Sequence, residues 1–167
     1  MTLLVAVATF GLMEPATYAM HRWVMHGPGR GLHLSHHRRG REGFELNDWY
    51  PVLFAALGML AFAAGASVGR IHVLVPVSLG SAAYGAAYLF VHDLYIHRRM
   101  AALSFEWSPL ERLKAAHRVH HLFNGEPYGM LFPVVPAELR RRAAASPVDP
   151  FPPARRGSRP PQVPVEA

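Results

Sequence analysis

The chain contains no cysteine. Disulfides, thiolate zinc sites, iron–sulfur clusters and cysteine nucleophiles are therefore excluded together, and any metal must be held by nitrogen or oxygen. Charge is nearly absent from three stretches, Met1 to Met20, Pro51 to Val68 and Ile71 to Val91, each about 18 to 21 residues long. That length lets a helix cross a bilayer core of roughly 30 Å. The second stretch also lacks a polar face, which a helix in a soluble bundle would need. The first lacks a basic leader and a small-residue cleavage site before His21, and it carries Glu14 internally, so it reads as a retained membrane helix.

An aromatic-interleaved basic patch is missing as well, so the net charge of +6 does not point to nucleic acid. The basic residues flank the apolar stretches instead. Arg22, Arg30, Arg38, Arg39 and Arg41 follow the first and eleven more lie beyond the third, while only Arg70 separates the second from the third. By the positive-inside rule, both basic segments and the C-terminus are expected on the cytoplasmic side of the membrane.

The expected architecture is an all-α integral membrane protein with three to four transmembrane helices and a cytoplasmic helical cap. Helix one should end at Gly27-Pro28-Gly29, and a short helix is expected around His33 to Arg39, closed by Gly40. Asn47 and Asp48 supply cap chemistry before helix two, and the near-absence of a loop at Gly69-Arg70 predicts a hairpin of helices two and three. Helix three should run on through His92 to Arg99. Ser108-Pro109-Leu110-Glu111 reads as an N-cap, N1 proline and N3 glutamate, opening a helix that stops at Asn124-Gly125. Tyr128 to Val135 is apolar but broken by proline and glycine, which suggests an interfacial or re-entrant lid. Residues 1–145 form the expected membrane-embedded domain. Seven of the last 22 residues are proline, so 146–167 is expected to be a disordered Pro/Arg-rich tail.

Histidine is what the chain has in excess. Ten of its eleven histidines fall into four clusters: His21-x4-His26, His33-x2-His36-His37, His92-x4-His97 and His117-x2-His120-His121. A doublet and a triplet thus occur twice, once on each side of the helical hairpin. At about 100° per residue, the three members of a triplet share one helix face. A doublet spans about 140° and roughly 7.5 Å of rise, which suits ligands arriving from different heights. All four clusters adjoin ends of membrane helices on the basic side. Ten imidazoles exceed what one ion accepts, so a dinuclear site is expected. His72 lies apart, near the opposite face, with no chemical role. Imidazole suits zinc, copper, iron and nickel alike, but zinc rarely needs so many ligands. A redox pair with open positions, beside apolar helices, points to oxygen chemistry on a lipid-soluble substrate.

At these clusters the sequence resembles the membrane fatty-acid hydroxylase superfamily, and within it the bacterial-type β-carotene 3-hydroxylases. The likeness covers about Leu12 to Arg142, including Met13-Glu14, His21-Arg-Trp-Val-Met-His-Gly, His33-Leu-Ser-His-His, Phe44-Glu-Leu-Asn-Asp, Ala83-Tyr-Gly, Val91-His-Asp and Ala116-His-Arg-Val-His-His. The resemblance implies a non-haem di-iron centre held by the ten clustered histidines. It further implies dioxygen as co-substrate, electrons from a ferredoxin-type donor and conversion of β-carotene through β-cryptoxanthin to zeaxanthin. Asp93 is the first choice to hold a ligand from behind, with Asp48, Glu45 and Asn124 as further candidates. Glu14 should face the interior, paired with His21 or an arginine. Rival functions are a hydroxylase or desaturase of a fatty acyl or sterol lipid, and a non-catalytic metal-binding membrane protein. A haem protein needs only one or two axial histidines and leaves the rest unexplained.

Overall fold

The structure, a computed structural model, describes residues 1–38, 43–99 and 105–151. The expected closure at Gly40 and the tail from residue 152 onward lie outside the described residues. Helices are the only regular structure among those described. They are α1 (Thr2–Met25), α2 (Arg30–His33), α3 (Trp49–Ser67), α4 (Leu74–Ile96), α5 (Ser108–Phe123) and α6 (Ala137–Ala144). The last turns of α1 and α4 are π-helical, over Met20–Met25 and Phe90–Ile96.

Three helical segments are long and apolar enough to cross a membrane: Thr2–Met25, Leu46–Ser67 and Leu74–Ile96. The α-helical part of α1 buries only Glu14, and α3 only Gly65. Leu3, Leu4, Leu12, Leu57, Met59 and Leu60 stay more than half exposed. Apolar surface on this scale is stable against lipid and not against water. α4 is central, packing against α1 on one side and forming the expected hairpin with α3 on the other.

Glycine permits the close approach of α1 to α4. A Cβ at Gly80 would press on the Ala6 carbonyl and come within 2.8 Å of Thr9 Cβ. Gly65 likewise faces the Leu74 side chain across the hairpin, while Gly58 and Gly85 face open space. Gly80→Ala is expected to destabilise the fold by about 1–3 kcal/mol through overpacking, visible as a lower thermal midpoint in detergent. Gly85→Ala, with room for the methyl, provides the comparison.

Several local expectations are corrected. The short helix begins at Arg30, not His33, and His36 and His37 lie in the turns that follow it. α4 ends at Ile96, before the expected Arg99, and Arg98 adopts a positive φ of 54°. Trp107 rather than Ser108 caps α5, and Glu111 accepts a hydrogen bond from the Tyr95 hydroxyl instead of closing a capping box (2.5 Å). A capping box does open the second span, where the Glu45 amide donates to Asp48 Oδ2 (2.8 Å) and the Glu45 side chain accepts from the Asp48 backbone.

Residues 146–151, expected to be unpacked, are tied down. Arg118 donates to the carbonyls of Ala143 (2.9 Å), Ser146 (2.7 Å) and Val148 (2.5 Å). Phe151 is only 2% exposed and joins Val91, Tyr95, Ile96, Leu110 and Met130 in one apolar cluster. A single large ring with an apolar hole to fill overrides the proline-rich composition around it.

Candidate metal centre

The C-terminal ends of α1 and α4 and the N-terminal end of α3 lie at one end of the bundle, because α3 runs antiparallel to both. There α5, the α2 segment and the 125–132 loop close over the spans. All ten clustered histidines converge at this end, in two groups. His21, His26, His33, His37 and His120 offer nitrogens all within 4.8 Å of one another, and so do His36, His92, His97 and His117. His121 adjoins the second group, with Nε2 2.9 Å from His117 Nε2, and stacks on His37 of the first at 4.4 Å between ring centroids. His72 lies in the α3–α4 turn, with Nδ1 3.3 Å from the Gly65 carbonyl.

The partition crosses the two triplets. His33 and His37 join the group of their own doublet, His21 and His26, while the middle histidine, His36, goes to the other group. In the second triplet His117 joins His92 and His97, with His121 beside it, and His120 crosses to the first group. The duplicated pattern thus folds into two interlocked halves.

The doublets differ from their α-helical expectation. Each sits on a π-turn, in which the His26 amide donates to the His21 carbonyl (3.0 Å) and the His97 amide to the His92 carbonyl (2.9 Å). An i→i+5 ladder places residues five apart on the same face. The imidazole centroids are accordingly 5.1 Å apart in the first pair and 4.6 Å in the second. Both members of a doublet therefore reach one group.

Three rings are fixed from behind. His21 Nδ1–H donates to the Tyr128 carbonyl (2.9 Å), His33 Nδ1–H to Asn47 Oδ1 (2.7 Å) and His120 Nδ1–H to the Gly125 carbonyl (2.5 Å). In a neutral imidazole, a proton on Nδ1 leaves Nε2 with a bare lone pair. His21 Nε2 and His33 Nε2 then face each other at 3.0 Å, lone pair to lone pair. His37 Nε2 is 3.0 Å from the same His33 atom and 3.2 Å from His120 Nε2. His21 and His33 cannot satisfy one another in this arrangement, but a cation between them does. The second group is as closely packed, with His36 Nε2 2.9 Å from His92 Nε2 and His97 Nε2 3.0 Å from His117 Nε2.

Burial keeps these rings neutral. Loss of hydration lowers His33 to about 4 and His37 to about 3, and it holds His36, His97, His117, His120 and His121 well below the ordinary histidine range. Neutral imidazole is the form that ligates metal.

Behind the second group stands a charged layer. Asp93 Oδ2 is 3.3 Å from His92 Nδ1, and Glu45 Oε2 is 3.5 Å from His36 Nδ1. Arg99 joins these acids, donating to Asp93 Oδ1 (2.9 Å) and to both Asp48 oxygens (2.6 Å each), with Nε 3.9 Å from Glu45 Oε1. Burial pushes the Glu45 carboxyl up against the opposing pull of Arg99. Asp93 and Glu45 thus lie near His92 and His36, whereas Asp48 contacts Arg99 and the Glu45 amide. Asn124 is also placed differently, as the left-handed C-cap of α5 (φ 53°), where it turns the chain so that the next carbonyl, Gly125, meets His120. The sequence reading missed Asn47, Arg99 and the two carbonyls. Asn47 lies within the quoted Phe44 to Asp48 run, but the carbonyls carry no residue-type signal.

Aromatic rings close the site. Tyr128 lies 5.0 to 5.6 Å from the rings of His26, His21 and His120. Phe151 covers the other half, parallel to His117 at 5.9 Å and edge-on to His97 at 5.1 Å. The donor set, all nitrogen and arranged as two adjacent groups, fits a pair of transition-metal ions better than calcium or magnesium, which prefer oxygen.

Comparison with known proteins follows the same lines. The fatty acid hydroxylase family matches residues 6–136. The β-carotene hydroxylase of Paracoccus sp. (strain PC1) is 40% identical over 134 residues, covering 77% of this chain and 80% of the relative. That of Pantoea ananas is 40% identical over 128 residues, covering 74% and 70%. The chloroplastic β-carotene 3-hydroxylase 1 of Arabidopsis thaliana is 35% identical over 137 residues, covering 73% of this chain and 43% of the relative. No solved structure matches. The family match spans all ten clustered histidines, most of the first apolar helix and all of the other two, and the chain belongs to the fatty acid hydroxylase family.

Proposed function

We propose that the chain is a β-carotene 3-hydroxylase with a non-haem di-iron centre, converting β-carotene through β-cryptoxanthin to zeaxanthin. The observation that carries the metal reading is the pair His21 Nε2 and His33 Nε2, which face each other at 3.0 Å with both Nδ1 protons donated elsewhere, inside a group of five converging imidazoles. The carotenoid reading rests on the relatives named above. The first iron falls to His21, His26, His33, His37 and His120, and the second to His36, His92, His97 and His117 with His121 beside them. Iron bound there would supply the reduction of dioxygen that places one oxygen atom in a C–H bond and releases the other as water, using two electrons from a ferredoxin-type donor and two protons from solvent.

The chain's own residues supply position and exclusion. Tyr128, Asn47 and Gly125 hold the tautomers of three rings so that every Nε2 points inward. Tyr128 and Phe151 keep water from either side of the imidazoles. The apolar spans hold a lipophilic polyene at the depth of the site, and the positive-inside distribution supports a site at the cytoplasmic face, accessible to a soluble donor.

The test is pigment analysis of a β-carotene-accumulating bacterium that expresses the chain. Zeaxanthin and β-cryptoxanthin are expected. Unchanged β-carotene beside well-folded, iron-loaded protein sinks the carotenoid assignment and leaves an acyl or sterol lipid as the substrate. Folded protein that takes up metal but oxidises no lipid indicates a metal-binding role alone.

A further inference from the structure

Glu14 is an acid in an apolar membrane helix, only 9% exposed, and it belongs to neither histidine group. A buried carboxylate is costly unless its oxygens are satisfied. The expected partner, His21 or an arginine, is not the one it has. Oε1 accepts from the amides of Met130 (2.8 Å), Leu131 (3.1 Å) and Phe132 (3.0 Å). Oε2 accepts from the Leu131 amide (3.1 Å) and the Tyr84 hydroxyl (2.5 Å). Three successive backbone N–H groups converging on one carboxylate form an anion-binding nest. Gly129 leaves space for it, since a Cβ there would lie 2.8 Å from Glu14 Oε1.

The segment so gripped is the one that fixes two histidines of the first group. The Tyr128 carbonyl, one residue from Gly129, receives the His21 Nδ1 proton, and the Gly125 carbonyl receives that of His120. No histidine of the second group hydrogen-bonds to this segment among the described residues; Glu45 lies 3.5 Å from His36 and Asp93 3.3 Å from His92 instead. We infer that Glu14 is a positioning residue for one metal of the pair: its carboxylate anchors the 125–132 loop so that two backbone carbonyls hold His21 and His120 in ligating tautomer and orientation. This rests on the dinuclear metal reading above. The Tyr128 to Val135 lid is then a clamped wall of the first site rather than a loose cover.

The test is anaerobic titration of the full chain in detergent with ferrous iron alone, in Glu14→Gln and Glu14→Ala, with iron counted per folded chain. Wild type should bind two ions, one for each histidine group. Glu14→Ala should weaken one of them by roughly 10-fold or more, the size expected when support behind a ligand is lost, and Glu14→Gln by less. Amide exchange at Met130, Leu131 and Phe132 should accelerate in step.

Double variants separate positioning from general loss of stability. With the second group broken by His36→Ala, Glu14→Gln should weaken the remaining iron. With the first broken by His120→Ala, it should leave the remaining iron unchanged. Equal weakening in both backgrounds, or wild-type affinity at both sites in Glu14→Gln, overturns the inference. Should Glu14→Ala not fold, Glu14→Gln and the double variants carry the decision. Failure of the wild type to bind iron overturns the metal reading itself.

Discussion

His120→Ala is expected to lower carotenoid hydroxylation by more than about 100-fold and to cost the folded chain its first-group iron, while His36→Ala costs the second. The two histidines are the middle members of their triplets, and each is buried, His120 completely. If each triplet simply served the doublet nearest in sequence, the assignments would be reversed. His36→Ala would then deplete the site of His21 and His26, and His120→Ala that of His92 and His97. Iron content alone does not tell the two sites apart, so each variant is paired with a perturbation confined to one half. Asn47→Ala removes the acceptor behind His33 and weakens the first group only. In the His120→Ala background it should have no further effect on the remaining iron, and in the His36→Ala background it should weaken it. The opposite pairing contradicts the crossed arrangement.

Arg99→Met should destabilise the protein by about 3–5 kcal/mol, the usual consequence of stranding buried charge. Arg99 is the common cation of Asp48 and Asp93, with Glu45 beside it, and its side chain is 15% exposed. Its own pKa is raised, first by the hydrogen bonds to Asp48. Removing it leaves three carboxylates repelling one another behind the second histidine group and unties the end of α4 from the start of the second span. Arg99→Lys should recover only part of the loss, because a single ammonium cannot reproduce the two parallel bonds to Asp48. Thermal unfolding in detergent measures both. An Arg99→Met variant as stable as wild type shows that the charged layer is solvated and carries no structural load.

The features legible in the sequence were those encoded locally. An uncharged run of sufficient length is a membrane helix wherever it packs, so the three spans and the hairpin could be read directly. The histidine clusters could also be read, because their spacing repeats and they adjoin the ends of spans. What spacing did not yield was their geometry. An α-helical rule separates His21 from His26 by about 140°, whereas the π-turns at the ends of α1 and α4 bring both onto one face. Nothing in the residue types marks a π-turn. The crossing of His36 and His120 is invisible for another reason, since it depends on how α5 and the α2 segment lie across each other.

Glu14 shows the boundary most clearly. An acid in an apolar helix announces a partner, and charged side chains were the natural candidates. The actual partners are mainly backbone amides, which every residue possesses and no sequence pattern advertises. Phe151 is similar: the proline-rich composition around it could not foresee one ring filling a hole beside His117.

Oxygen-isotope labelling probes the chemistry at its source. The full chain, loaded with ferrous iron in detergent, is supplied with a reduced ferredoxin-type donor, β-carotene and 18O2, and the pigments are analysed by mass spectrometry. Hydroxylated carotenoid carrying one 18O atom per new hydroxyl is the expected result. Product oxygen derived from water, or β-carotene recovered unchanged from folded protein holding two irons, contradicts the assignment of this histidine centre to oxygen insertion.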